Sequence, residues 1–193
     1  MSAHVLTYNQ GMSFYIWVDA DSVPTNLRQI ILRAASRTGA NCRFVADRDL
    51  KDVRQFIADD TFQRRQKAKE EGMTDETEIK AIKSKISITV VQSGENSADD
   101  FIVHNAEKAQ LCITHDIPLA SRLLEKGCTV IDDRGRQYTD SDIRAKLSDR
   151  LVNQELRSWG VFSEQQKKID ASKQKDFANM LDRTLTHMMK EEQ

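Results

Sequence analysis

The chain has 193 residues, 39% of them hydrophobic and 31% charged, with 29 Lys and Arg against 30 Asp and Glu for a formal net charge of -1. That length holds one ordinary domain with a real core and leaves little for a second. The balanced charge excludes a protein that coats polyanions over its whole surface, although local basic patches fit inside such a total. The opening MSAHVLTYNQG lacks a basic segment followed by an apolar one, and no run of about 18 apolar residues occurs, so a cytoplasmic protein with no membrane partner is expected. Residues 1–12 read as an N-terminal extension ahead of a single domain over 13–187.

In chain order, five short apolar runs rich in β-branched residues alternate with helical patterns. Phe14 to Val18, Cys42 to Val45, Ile86 to Val91, Leu111 to Thr114 and Cys128 to Ile131 read as strands buried on both faces, the mark of a parallel sheet. Leu27, Ile30, Ile31 and Ala34 recur at helical spacing between the first two, with Pro24 suited to the first turn and Gly39 to the stop. Ser97 with Asp100 three residues on resembles a capping box, opening a helix whose Ala98, Phe101, Ile102 and Ala106 face the sheet. Another helix runs from Pro118 to Lys126, stopped by Gly127. Beyond Thr139 the pattern is all helical, with Ile143 and Leu147 on one face and then Phe177, Met180, Leu181 and Leu185 in a last amphipathic segment. Cys42, Cys112 and Cys128 cannot all pair within the chain and show no metal-ligand spacing, so they read as buried, reduced thiols.

Asp47 to Lys85 breaks the alternation. It is dense in charge and too long for an ordinary connection, and it reads as a helical insertion over about 59–84 with little to anchor it. A solvated hairpin supported by alternating charges is the plain explanation. A nucleic-acid arm is the functional one, using Arg64, Arg65, Lys67, Lys69, Lys80, Lys83 and Lys85, though Glu70, Glu71, Asp75, Glu76 and Glu78 weaken that field.

Chemistry is to be sought where the strands end, because an open parallel sheet gathers ligands outside its carboxyl ends at the point where the strand order reverses. In VDADSVP, Asp19 closes the first strand and Asp21 follows in the turn; Asp116 follows the fourth strand, and Asp99 and Asp100 begin the helix between. If the first strand is central with the fourth beside it, all five carboxylates meet at one crevice. Crowded carboxylates stay ionised only with a cation, strong hydrogen bonds or open water. Hard Mg2+ or Mn2+ suits oxygen ligands, which makes Asp19, Asp99, Asp100 and Asp116 the metal candidates and Asp19, Asp21, Asp99 and Asp116 the catalytic ones. A cation over a scissile phosphate polarises it and activates water, so phosphodiester hydrolysis is the expected reaction.

Plain explanations stand beside these. Asp99 and Asp100 also complement a helix dipole, Asp116 also caps the next helix, and Asp132 and Asp133 before Arg134 and Gly135 read as a turn with a salt bridge. Ser22 either caps the first helix or touches a phosphate, and Arg134 and Arg136, with Arg28 and Arg33, stand near the rim as phosphate contacts. His4, His104, His115 and His187 show no triad or zinc spacing.

VDADSVP, SADDFIV, ITHDIPLAS, DDRGRQY and FANMLDRTL together resemble the YaiI/YqxD family, which is grouped with PIN-like nuclease domains. The likeness covers most of Phe14 to Arg183 in the same order, leaving out the charged segment around Asp59 to Lys83. It implies a Rossmann-like three-layer α/β/α fold with a mostly parallel sheet of about five strands, C-terminal helices and an acidic metal pocket similar to that of PIN ribonucleases. It does not by itself imply an activity; a metal-dependent nuclease acting on RNA is the expectation that the strand-end acids and this fold support together. Two departures count. Val23 stands where the family usually has Cys, which argues against a catalytic thiol, and Asn96 stands where an Asp often precedes the A-D pair, which removes one carboxylate.

Two rival readings use the same residues. An apolar strand before D-x-D-x-V also opens haloacid-dehalogenase-like phosphatases, with Asp19 as nucleophile, Asp21 handling the leaving-group proton, and Thr114, Lys126 and Asp116 as supporting groups. The other is a non-catalytic PIN-like domain that binds RNA or protein. RNA is the expected partner, with a homodimer as a further assembly.

Overall fold

The computed structural model describes residues 15–92, 97–146, 148 and 171–191. Strand β1 (Tyr15–Asp19), helix α1 (Thr25–Thr38), strand β2 (Asn41–Ala46), helices α2 (Lys51–Glu70) and α3 (Glu76–Ala81), strand β3 (Ile86–Val90), helix α4 (Ser97–Asn105), strand β4 (Leu111–Ile113), helix α5 (Ile117–Glu125) and strand β5 (Thr129–Ile131) follow in order. The last described helix is α6 (Ala171–Glu191), and residues 140–146 are helical before it. Phe14, Leu147, Asn96 and the extension over 1–12, all invoked above, lie outside the described residues.

All five strands are parallel, in the order β3-β2-β1-β4-β5. The chain steps from β1 outward through β2 to β3, then returns to lay β4 on the other side of β1. The order therefore reverses between β1 and β4, and these two central strands border the crevice.

Strand periodicity divides the core into two layers. Ile16, Val18, Cys42, Phe44, Leu111, Ile113 and Ile131 face one side, where α1 and α6 cover them. Trp17, Val45, Cys112 and Val130 face the other, beneath α4 and α5. The fold is a three-layer α/β/α sandwich of the Rossmann-like kind. In α6, Phe177, Leu181, Leu185 and Met188 recur at three- and four-residue steps and are buried, so the amphipathic pattern specifies the face that docks. Gly39 ends α1 in the left-handed conformation (φ 71°), donating its N–H to Ala35 O at 2.9 Å. All three cysteines are buried and unpaired.

The charged segment forms the hairpin of α2 and α3, but it is better anchored than its composition suggests. Val53, Ala68 and Ile79 are buried, and so is Asp60, whose carboxylate accepts from Ser36 Oγ in α1 and pairs with Arg64 at 2.7 Å. Arg65 donates to the carbonyls of Lys80 and Ile82 at 2.7 and 3.1 Å, tying α2 to the end of α3. Polar contacts thus replace the large apolar anchors that the sequence lacks. They also occupy Arg64 and Arg65, while Lys67 and Lys80 face Glu71 and Glu76.

Candidate functional site

Asp19 ends β1 with only 4% of its surface exposed. Its burial follows from its place at the end of the central strand, which also carries the buried Trp17 and Val18. Such a carboxylate needs partners. Thr114, just past the end of β4, donates its hydroxyl to Asp19 Oδ2 at 2.7 Å, whereas the Ser22 N–H reaches Oδ1 only at 3.4 Å. One oxygen is firmly held, and the other keeps acceptor capacity toward the crevice.

The turn after β1 folds back on this pair. Ser22 Oγ donates to Asp19 O at 3.2 Å, lies 3.3 Å from Thr114 Oγ1, and accepts the His115 N–H at 3.3 Å. His115 Nδ1 lies 2.8 Å from Ser22 O. Ser22 is therefore a brace between the two strand ends and not the cap of α1: Pro24 takes that position, and no side chain caps the helix.

Asp116 does cap α5, accepting the Leu119 N–H on Oδ1 at 2.9 Å. Its own N–H donates to Thr114 Oγ1 at 3.0 Å, so it is joined to the Asp19 network through the same hydroxyl. Asp99, in the first turn of α4, completes the group. Burial first, then the negative charges of Asp19 and Asp116, push its carboxyl up to about 6, against a smaller opposing effect of Arg122. Three acids from three separate elements thus share one electrostatic neighbourhood at the switch point.

Other predicted residues go elsewhere. Asp21 turns toward β2, accepting the Asp47 N–H at 2.9 Å and pairing with Arg48 at 2.9 Å; burial raises its carboxyl above the ordinary value. Asp100 is paired with Arg122 of α5 at 2.7 Å on the exposed side of α4. Asp132, 3% exposed, accepts the N–H groups of Arg134 and Arg136 on Oδ1 at 2.9 and 2.8 Å, so backbone donors hold this turn. Asp133 is raised by burial, with His115 acting against that rise. Arg28 is no free rim contact: it is buried, pairs with Asp52 at 3.0 Å and donates to Val23 O. His187 faces Glu191 at 3.4 Å, far along α6.

Sequence reasoning gave Thr114 a part only in the phosphatase reading and gave His115 none. Both follow a buried strand at its carboxyl end, in ITHDIP, and a hydroxyl one residue past such a strand was the signal available.

The donor set is all oxygen, as Mg2+ and Mn2+ prefer. Among the described residues, no three His, Cys, Asp or Glu side chains are already drawn together around a common metal point. Mg2+ takes only one or two carboxylates and keeps waters, a number that Asp19, whose Oδ1 has only the 3.4 Å contact from the Ser22 N–H, and the neighbouring Asp99 supply between them.

The family whose model matches residues 62–187 is described as "Uncharacterized BCR, YaiI/YqxD family". The matched span includes α3 and the second half of α2 from Phe62 onward, so the latter part of the charged hairpin lies within it. A "UPF0178 protein" of Psychromonas ingrahamii is 34% identical over 170 residues, 88% of this chain and 94% of that protein. A "UPF0178 protein" of Citrifermentans bemidjiense is 34% identical over 176 residues, 91% and 96% of the two chains. Another from Vibrio atlanticus is 35% identical over 170 residues, 88% and 97%. No solved structure matches the chain. With the match reaching from the charged hairpin into α6, and these relatives aligned over nearly their whole length, the chain belongs to the YaiI/YqxD family.

Proposed function

We propose that the protein is a divalent-metal-dependent nuclease that hydrolyses phosphodiester bonds in RNA. One observation carries this reading: at the sheet's switch point, the Asp99 carboxyl is lifted to about 6 by its burial and by the charges of Asp19 and Asp116. Such mutual repulsion is relieved by a cation. The likeness to PIN-like nuclease domains points to the same chemistry.

Asp19, Asp99 and Asp116 would hold the ion, which when bound supplies Lewis-acid polarisation of the phosphate and activation of water. Thr114 fixes the orientation of Asp19 by occupying Oδ2, leaving Oδ1 to face the ligand. Ser22 and His115 lock the two strand ends together, so that acids carried by β1 and by the loop after β4 keep their spacing. Arg122 holds Asp100 aside and lowers the charge burden on Asp99.

A phosphatase with Asp19 as nucleophile is less well supported. Asp21 is engaged with Asp47 and Arg48, and Lys126 reaches Val103 O from the far end of α5, about 15 Å of helix from Asp116. The test is cleavage of single-stranded RNA with Mg2+ or Mn2+. Cleavage that Asp19→Asn abolishes is expected, while hydrolysis of small phosphomonoesters without RNA cleavage would transfer the case to the phosphatase.

A further inference from the structure

We propose that the cleft between the turn after β5 and helix α6 binds the phosphates of single-stranded RNA through Arg134, Arg136 and Arg183. The cleft encloses about 300 Å³ and is lined also by Asp176 and Asn179. All three arginines are exposed, and among the described residues none has a hydrogen-bond or ion-pair partner for its guanidinium. Several other arginines are engaged, Arg28 with Asp52, Arg48 with Asp21, Arg54 with Asp49, Arg64 with Asp60 and Arg122 with Asp100, whereas among the described residues Arg33 and Arg144 also lack a partner but do not line this cleft. The lining itself carries three unengaged guanidiniums against the single carboxylate of Asp176, while Asp133 and Asp142 stand near enough to Arg134 and Arg136 to feel their charge.

The backbone beneath them is rigidly placed. Asp132 pins the N–H groups of Arg134 and Arg136. Gly135 between them has φ 76° and lies so close to α6 that a Cβ there would stand 2.6 Å from the carbonyl of Asp176. Arg134 and Arg136 are therefore held beside α6, while Asp176, Asn179 and Arg183 recur on one face of that helix at three- and four-residue steps. Pinned backbones lower the ordering cost of binding. Guanidinium forks match phosphate oxygens bidentately, and with no aromatic side chain in the lining the contact is to the backbone and not to bases.

The choice of RNA rests on the nuclease reading above; the arginine cleft does not. The turn starts at the carboxyl end of β5, on the same rim as Asp19 and two strand spacings away, about 10 Å. His115, which braces Ser22 and acts on Asp133, lies between the acids and this turn. A strand passing over the acids would thus have its flanking phosphates received here.

The experiment is fluorescence anisotropy of a short labelled oligouridylate, titrated with the full chain in EDTA so that nothing is cleaved. Arg136→Glu and Arg183→Glu are each expected to weaken binding at least about tenfold and to lower the log–log salt slope by about 0.7 per lost phosphate contact. Lys67→Glu, on α2 and outside the cleft, is expected to bind as the wild type does. Circular dichroism checks the fold, and Arg183→Gln provides a second, milder variant. Wild-type affinity in the arginine variants, or no RNA binding by the wild type, would overturn the proposal. Arginine-dependent binding without any cleavage in Mg2+ would leave the cleft standing and remove the nuclease reading; cleavage without arginine-dependent binding would do the reverse.

Discussion

Thr114 donates its hydroxyl to Asp19 Oδ2 at 2.7 Å, linking the ends of two adjacent parallel strands through a buried carboxylate. The same oxygen, Thr114 Oγ1, accepts the Asp116 N–H. One hydroxyl thus sets the relation between two of the three acids in the crevice.

Thr114→Val removes that donor and leaves a buried carboxylate without its short hydrogen bond. The expected cost is about 1.5–3 kcal/mol of stability, the range for bonds to charged groups, read from urea denaturation. Thr114→Ser should restore most of it. Equal stability of the valine variant and the wild type would mean that the hydroxyl is not what supports Asp19.

Asp99 carries a pH signature. Its carboxyl, pushed up to about 6 from the model-compound value of 3.8, binds its proton more tightly in the folded metal-free protein than in the unfolded chain. Its contribution to stability is therefore fully present below about pH 4, is lost as pH rises toward about 6, and stays lost above that. Asp99→Asn should raise stability at neutral pH by about 1 kcal/mol, a figure reduced for the partial exposure of the group. Thermal melts across the acidic range should show this gain shrinking to nothing by about pH 4.

Asp19→Asn should bring the Asp99 titration down, because it removes one of the two neighbouring acids that raise it. Carboxyl-carbon NMR of Asp99 reads this directly. An unchanged midpoint would show that Asp19 and Asp99 are too far apart to share an ion.

Gly135→Ala introduces a Cβ 2.6 Å from the Asp176 carbonyl carbon and oxygen and 2.7 Å from Phe177 N, in a backbone conformation that β-substituted residues avoid. A loss of about 1–3 kcal/mol is expected from displacing the start of α6, seen as a lower melting temperature. Gly39→Ala is the comparison: it has the same sign of φ but nothing within 4 Å, so about 1 kcal/mol should be lost.

Much of the architecture was legible because both its periods are strong. A continuous apolar run such as Leu111 to Ile113 reads as a strand covered on both faces, and it is buried throughout, while Phe177, Leu181 and Leu185 mark a single helix face. The acids at strand ends were legible for the same reason: once Asp19 closes a central strand, topology places it at the switch point. Side-chain commitments were not. Asp21 and Asp99 look alike as acids beside a strand or helix end, and only the fold shows that Arg48 reaches the first while the second is left with Asp19 and Asp116. Ser22 reads as a helix cap in sequence, but the turn carries it to Thr114 and His115. The anchoring of the charged hairpin by Asp60 depends on Ser36, 24 residues earlier in a different helix, which no local pattern reports. Arg183 was missed because an exposed arginine on an amphipathic helix looks like solvated surface until Arg134 and Arg136 stand opposite it.

Mn2+ binding followed by electron paramagnetic resonance tests the account most directly, since the signal of the free ion disappears when the ion is bound. Saturable loss of that signal with the wild type above neutral pH, abolished in the double variant Asp19→Asn with Asp99→Asn, is the predicted result. An undiminished signal with the wild type, or equal binding by the double variant, would contradict the claim that these carboxylates hold a catalytic cation.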